Sequence, residues 1–126
     1  MTPNESAENT IDWFMGFDPS KDTIDDLLKA RKELSINCTK IANYIKLQEE
    51  KFKRTYQERR IAEATTKLSI EGTGVVREAR SIAENKELRI REAAAEGSAK
   101  GAKIVLDSYY KVLDSMASYI NTMRQI

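Results

Sequence analysis

From Ser20 to Glu71 the chain contains neither proline nor glycine. Both residues are strong punctuators of helices, so this stretch has no obvious stop. Its apolar residues recur at Ile24, Leu27, Leu28, Leu34, Cys38, Ile41, Ile45, Phe52 and Tyr56. Spacings of three, four and seven place them on one helical stripe. Ser20-Lys21-Asp22-Thr23 supplies N-cap candidates, and Asp22, Asp25 and Asp26 put negative charge in the first turn. The pattern predicts one rod of nearly fifty residues, or two helices sharing a bend.

Gly72 and Gly74 then punctuate the chain. A second stripe follows: Val76, Ala79, Ala83, Ile90, Ala94, Gly97, Gly101, Val105, Val112, Met116, Tyr119 and Met123. The expected class is all-α: a long antiparallel helical hairpin or small elongated bundle, coiled-coil-like, turning near residues 71–75. If the turn centres on Thr73, Phe52 faces Ala94 and Ile45 faces Gly101. Gly97 and Gly101 also admit a break that would divide the second half into two helices. A lone hairpin buries little against its ordering entropy, so self-association is expected. The candidate interface residues are Gly97, Gly101, Tyr109, Tyr110, Val112, Met116 and Tyr119.

Residues 1–20 carry both prolines and no sustained periodicity, and they read as a mobile acidic arm ahead of a helical domain at 21–126. Trp13, Phe14, Met15 and Phe17 sit in it among acids. Such a segment suits docking into a partner's groove. The competing reading packs these rings onto the chain's own helices, because an exposed run of this kind is adhesive.

The chain has no histidine and one cysteine, Cys38. The commonest general base is therefore missing, and Cys/His zinc sites and Ser/His or Cys/His pairs are excluded. Asp25-Asp26 and Glu49-Glu50 are adjacent pairs, which diverge by about 100° on a helix. The expectation is a protein that is not an enzyme, with no cofactor and no metal. Cys38 falls on the apolar stripe and reads as a small core residue. No apolar run approaches a bilayer span, and a cytoplasmic protein without a membrane partner is expected.

Charge is divided unevenly. Residues 1–26 hold one Lys/Arg against seven Asp/Glu, a net of −6, and residues 27–126 hold 20 against 13, a net of +7. The segment Lys51 to Arg60, KFKRTYQERR, has five basic residues and two aromatics. With Phe52 at the centre of the apolar face, Ile45 lies about 20° and Tyr56 about 40° away, so both rings point toward the core. Lys46, Lys53 and Arg60 line one flank. Arg59 returns to the apolar face, which is odd for a purely structural helix. Lys67 precedes the turn, and Arg77 and Arg80 follow it. Two readings compete: a solvated face laced by Glu49–Lys53 and Glu50–Arg54 pairs, or a cluster of cations gripping phosphates.

The basic-aromatic helix KLQEEKFKRTYQERR, the central turn and the long C-terminal helix DSYYKVLDSMASYINTMRQI resemble the UvsY family of phage recombination mediators. That resemblance implies a ring-like oligomer, assembled through the C-terminal helix, that binds single-stranded DNA and helps load a RecA-like recombinase. It makes Lys46, Lys51, Lys53, Arg54, Arg59 and Arg60 the candidate phosphate contacts. The alternative function is a protein-interaction module working through its amphipathic helices and aromatic arm.

Overall fold

The computed structural model describes residues 1–125. Four α-helices carry the chain: α1 (Pro3–Met15), α2 (Ile24–Ser69), α3 (Gly74–Glu84) and α4 (Lys86–Arg124). No strand occurs among the described residues, and the protein is all-α. No helix among them is long and apolar enough to cross a membrane.

The segment expected to be a mobile arm is helical. Thr2 caps α1: its hydroxyl accepts from the Glu5 N–H, the Glu5 carboxylate accepts from the Thr2 N–H, and Pro3 opens the helix. This is a complete capping box with proline where its missing N–H costs nothing. Thr23 and Asp26 make the same reciprocal pair at the start of α2, at 3.2 and 2.9 Å. From there α2 is one continuous helix of 46 residues rather than two.

The chain folds as two compact units. The first comprises residues 1–44 and 101–126, and the second residues 45–100.

In the first unit, Leu27, Ala30, Leu34, Cys38 and Ile41 of α2 are buried, as are Leu106, Tyr109, Met116 and Ile120 of α4. Helix α1 adds Ala7, fully buried, and its Phe14 ring lies against Tyr119 of α4. Phe14 and Phe17 meet Tyr119 edge-on at 6.2 and 5.4 Å between ring centroids, and Trp13 packs edge-on against Phe17 at 5.7 Å. These geometries suit the aromatic quadrupoles. The Tyr109 hydroxyl donates to Glu8 Oε1 at 2.7 Å, and burial pushes its pKa up to about 12, helped by Glu8.

The second unit is built on a different interior. Its α2 segment ends at Ser69, and Gly72 adopts φ 129°, a conformation that favours glycine. Thr73 then caps α3 by accepting from the Val76 N–H. The next break falls at Asn85, not at Gly97 or Gly101, which lie inside α4. The Asn85 amide donates to Ser81 O at 2.9 Å and to Thr66 Oγ1 at 3.0 Å, so its side chain ties the end of α3 to α2. Asn is a poor helix-interior residue for this reason: it bonds the backbone locally.

The extra break also changes the register. Symmetry about Thr73 would set Arg59 against Glu87, but Arg59 pairs with Glu92. The expected second stripe is displaced with it. Val76, Ala79, Ala83, Ile90, Ala94, Gly97, Gly101 and Val105 are exposed, and Ala95 and Ala99 are the buried small residues. A Cβ placed on Gly97 or Gly101 would meet nothing within 4 Å, so neither receives a bulky partner such as Ile45.

Leu34 and Met116 are fully buried. Truncating either to Ala should lower unfolding stability by about 2–5 kcal/mol. Denaturant titration followed by circular dichroism checks this, with Ile104→Ala, at an exposed site, expected to change it by less than about 0.5 kcal/mol.

Candidate nucleic-acid interface

All nine cations singled out in the sequence lie in the second unit, which holds 13 Lys/Arg against 10 Asp/Glu. Six of them are exposed: Lys46, Lys51, Lys53, Arg54, Arg60 and Arg80. Lys46, Lys53 and Arg60 are each seven residues apart on α2. Seven residues advance about 10.5 Å and rotate by only about 20°, so the three form a nearly straight line of positive charge. Arg60 is also held in place. Its Nη1 donates to the Tyr56 hydroxyl at 3.1 Å, and its guanidinium carbon lies 5.7 Å from the Tyr56 ring centroid. Tyr56 and Phe52 are half-buried neighbours, 6.4 Å apart between centroids. A cation seated on an aromatic ring beside a line of cations can meet both the phosphates and a base face of a single strand.

The other three cations are occupied by the protein itself. Arg59 donates through Nε and Nη2 to Glu92 and through Nη1 to Glu63 Oε2 at 3.0 Å. Its guanidinium carbon also lies 5.2 Å from the Tyr56 ring centroid. Arg89 takes the rest of Glu63, at 2.5 and 3.1 Å. The return of Arg59 to the apolar face thus has a structural cause: the side chain is the centre of an ion-pair lattice inside the unit. Arg77 Nε donates to Ile70 O at 2.6 Å and ties α3 to the turn. Lys67 is half-buried, 3.9 Å from Glu78. Arg59 and Arg77 therefore leave the set of candidate phosphate contacts.

The lattice shifts the groups within it. The hydrogen bond to Glu92 raises the Arg59 pKa above its ordinary value. The hydrogen bond from Arg89, with the charges of Arg89 and Arg59, outweighs burial and lowers the Glu63 pKa. Polar partners complete the interior. Ser81, fully buried, donates to Glu63 O at 2.6 Å, and Thr55 donates to Lys51 O at 2.8 Å. Among the described residues no buried side-chain nitrogen or oxygen lacks a partner.

The remaining expected sites divide between the interior and the surface. Tyr109 and Met116 are buried in the first unit and are not free to form an interface between chains. Tyr119 is the seat of Phe14 and Phe17, so the aromatic segment engages its own chain, and only Met15 stands well out at 73% exposure. Val112 is half-buried, and Gly97, Gly101 and Tyr110 are exposed. Cys38 is buried, and burial raises its thiol pKa. No group of three or more Cys, Asp or Glu among the described residues is placed to hold a metal ion.

One signal for the first helix stood in plain view: Thr2-Pro3-Asn4-Glu5 is an N-terminal signature by itself. Comparison with protein-family models, curated proteins and solved structures finds no match.

Glu63 gives this site a pH test. A carboxylate whose folded pKa lies below its unfolded value of about 4.5 contributes stability above that pH and loses it as pH falls through the folded value. Glu63→Gln should be less stable than the wild type at pH 7, and the difference should shrink steadily toward pH 3. Urea midpoints measured across that range check it; a difference that stays constant would place Glu63 outside the lattice.

Proposed function

We propose that the protein is a non-enzymatic binder of single-stranded nucleic acid, acting as an accessory in recombination or replication. The observation that carries this reading is the line Lys46–Lys53–Arg60 on one flank of α2, ending on the Arg60–Tyr56 pair. The cations track the sugar-phosphate backbone, and Tyr56, with Phe52 behind it, offers an aromatic edge to bases. Contacts of this kind have little sequence preference. A mediator role beside a recombinase agrees with the sequence resemblance and rests on it.

A second reading is favoured by a different observation. Helix α3 exposes Val75, Val76 and Ile82, which suits a helical protein-interaction module. The aromatic segment does not favour that reading, because Phe14 and Phe17 are spent on Tyr119.

Counterion release gives the test. On single strands each phosphate contact contributes about −0.7 to the slope of log affinity against log salt. Replacing Lys46, Lys53 and Arg60 together by Gln should reduce the slope by about 2 and weaken binding of an oligothymidylate at low salt. Fluorescence anisotropy between 50 and 300 mM salt, roughly the range over which such contacts are lost, measures both. Unchanged slope and affinity would refute the proposal, as would wild-type protein that ignores the strand at every salt concentration.

A further inference from the structure

Three side chains of α2 surround the Tyr56 ring, and only one of them is loosely held. Phe52, half-buried, lies 6.4 Å away between centroids. The guanidinium carbons of Arg59 and Arg60 lie 5.2 and 5.7 Å from the ring centroid. At the helical step, residues three and four positions on stand about 60° and 40° to opposite sides of Tyr56. Arg59 is half-buried and Arg60 exposed, so one cation reaches the ring from within and the other from the solvent side.

The two are anchored differently. Arg59 gives Nε and Nη2 to Glu92 and Nη1 to Glu63. Among the described residues no carboxylate pairs with Arg60. It is held by the 3.1 Å hydrogen bond from Nη1 to the Tyr56 hydroxyl and by its contact with the ring. A neutral hydroxyl and an exposed cation–π contact are weak anchors, whereas a phosphate takes a guanidinium through charge-assisted, often bidentate bonds. A phosphate arriving at Arg60 therefore outcompetes the ring.

The departure of Arg60 uncovers the outer side of Tyr56, while Phe52 and Arg59 keep the ring in place. Lys53 and Arg60 stand about 10.5 Å apart along α2, and Tyr56 lies between them, about 4.5 Å beyond the level of Lys53. A strand whose phosphates meet both cations runs past the uncovered ring.

We propose that Arg60 caps Tyr56 in the free protein, and that capture of a phosphate by Arg60 opens the ring for stacking by the neighbouring base. This exchange rests on the single-strand reading above and specifies what that site recognises: a phosphate together with an unpaired base. A duplex supplies the phosphate but keeps its bases inside the helix, so it takes the first step and not the second.

Two substitutions separate the steps. Tyr56→Phe keeps the ring and removes the acceptor that holds Arg60. Tyr56→Leu removes the ring. Each is titrated by fluorescence anisotropy at low salt against two probes, an oligothymidylate and an abasic strand of the same length and charge. Tyr56→Phe should bind both probes several-fold more tightly than the unaltered chain, because no hydrogen bond has to be broken first. Tyr56→Leu should lower the ratio of oligothymidylate affinity to abasic affinity by about fivefold or more, the loss of one stacked base. Tyr56→Phe affinities equal to or below those of the unaltered chain overturn the cap, and so does an unchanged ratio for Tyr56→Leu. Circular dichroism confirms that each variant folds, and the Tyr56→Phe result decides alone if Tyr56→Leu does not. Unaltered protein that ignores both probes sinks the single-strand reading and the cap together. Unaltered protein that binds them with a salt-dependent affinity, beside a Tyr56→Phe variant that gains nothing, sinks the cap alone.

Discussion

The guanidinium of Arg59, held between Glu63 and Glu92, determines how residues 45–100 are built. A cation on the inward face of a long helix is tolerable only if carboxylates meet it with good geometry. Glu63 does so from the next turn, Glu92 comes from α4, and Arg89 closes the lattice on Glu63. Thr55, Thr66, Ser81 and Asn85 then fill the remaining interior with short polar side chains that bond to backbone and to one another. An interior of this kind has little room for Ile61, Leu68, Val75, Ile82 or Ile90, and all of them are exposed. The inside-out character of α3 is thus the counterpart of the lattice.

The first unit follows the ordinary rule. Leu27, Leu34, Cys38 and Ile41 of α2 are buried there with Leu106, Tyr109, Met116 and Ile120 of α4, and Phe14 of α1 packs on Tyr119. Its charge balance is also different, with 8 Lys/Arg against 10 Asp/Glu, so the positive excess of the chain lies in the unit with the polar interior. One chain therefore combines an apolar-cored unit with a unit whose cations divide into two jobs. Arg59 and Arg89 hold the interior together, and Lys46, Lys53 and Arg60 face the solvent.

The helical class and the turn at Gly72 were legible because they depend on local properties: periodicity, caps and breakers; the same signals leave open whether α2 forms one helix or two. The α2 stripe reads correctly from Leu27 to Ile45, where every buried position is apolar. It fails beyond Phe52, where the interior is polar and hydrophobicity no longer marks the inward side. The α4 stripe fails for the same reason. Val76, Ala83, Ile90 and Gly97 form a true period, but it belongs to the outer face, and the inner one passes through Ser81, Glu92, Ala95 and Ala99. Asn85 escaped notice because a single Asn is a weak breaker unless a second helix offers it a partner such as Thr66. At the candidate interface, the helical wheel identified Lys46, Lys53 and Arg60 as one line. It flagged Arg59 as anomalous without its reason, because Glu92 lies 33 residues away and only tertiary structure brings it near.

The division of labour between Arg59 and the exposed line is the centre of this account, and Arg59→Gln tests it most directly. Unfolding stability and the salt slope for single-strand binding should be measured on the same preparation. The account predicts that stability falls by about 1–3 kcal/mol, since charged hydrogen bonds inside the unit are lost, and that the slope is unchanged. A slope reduced by about 0.7 with stability intact would make Arg59 a phosphate contact and contradict the lattice as its role.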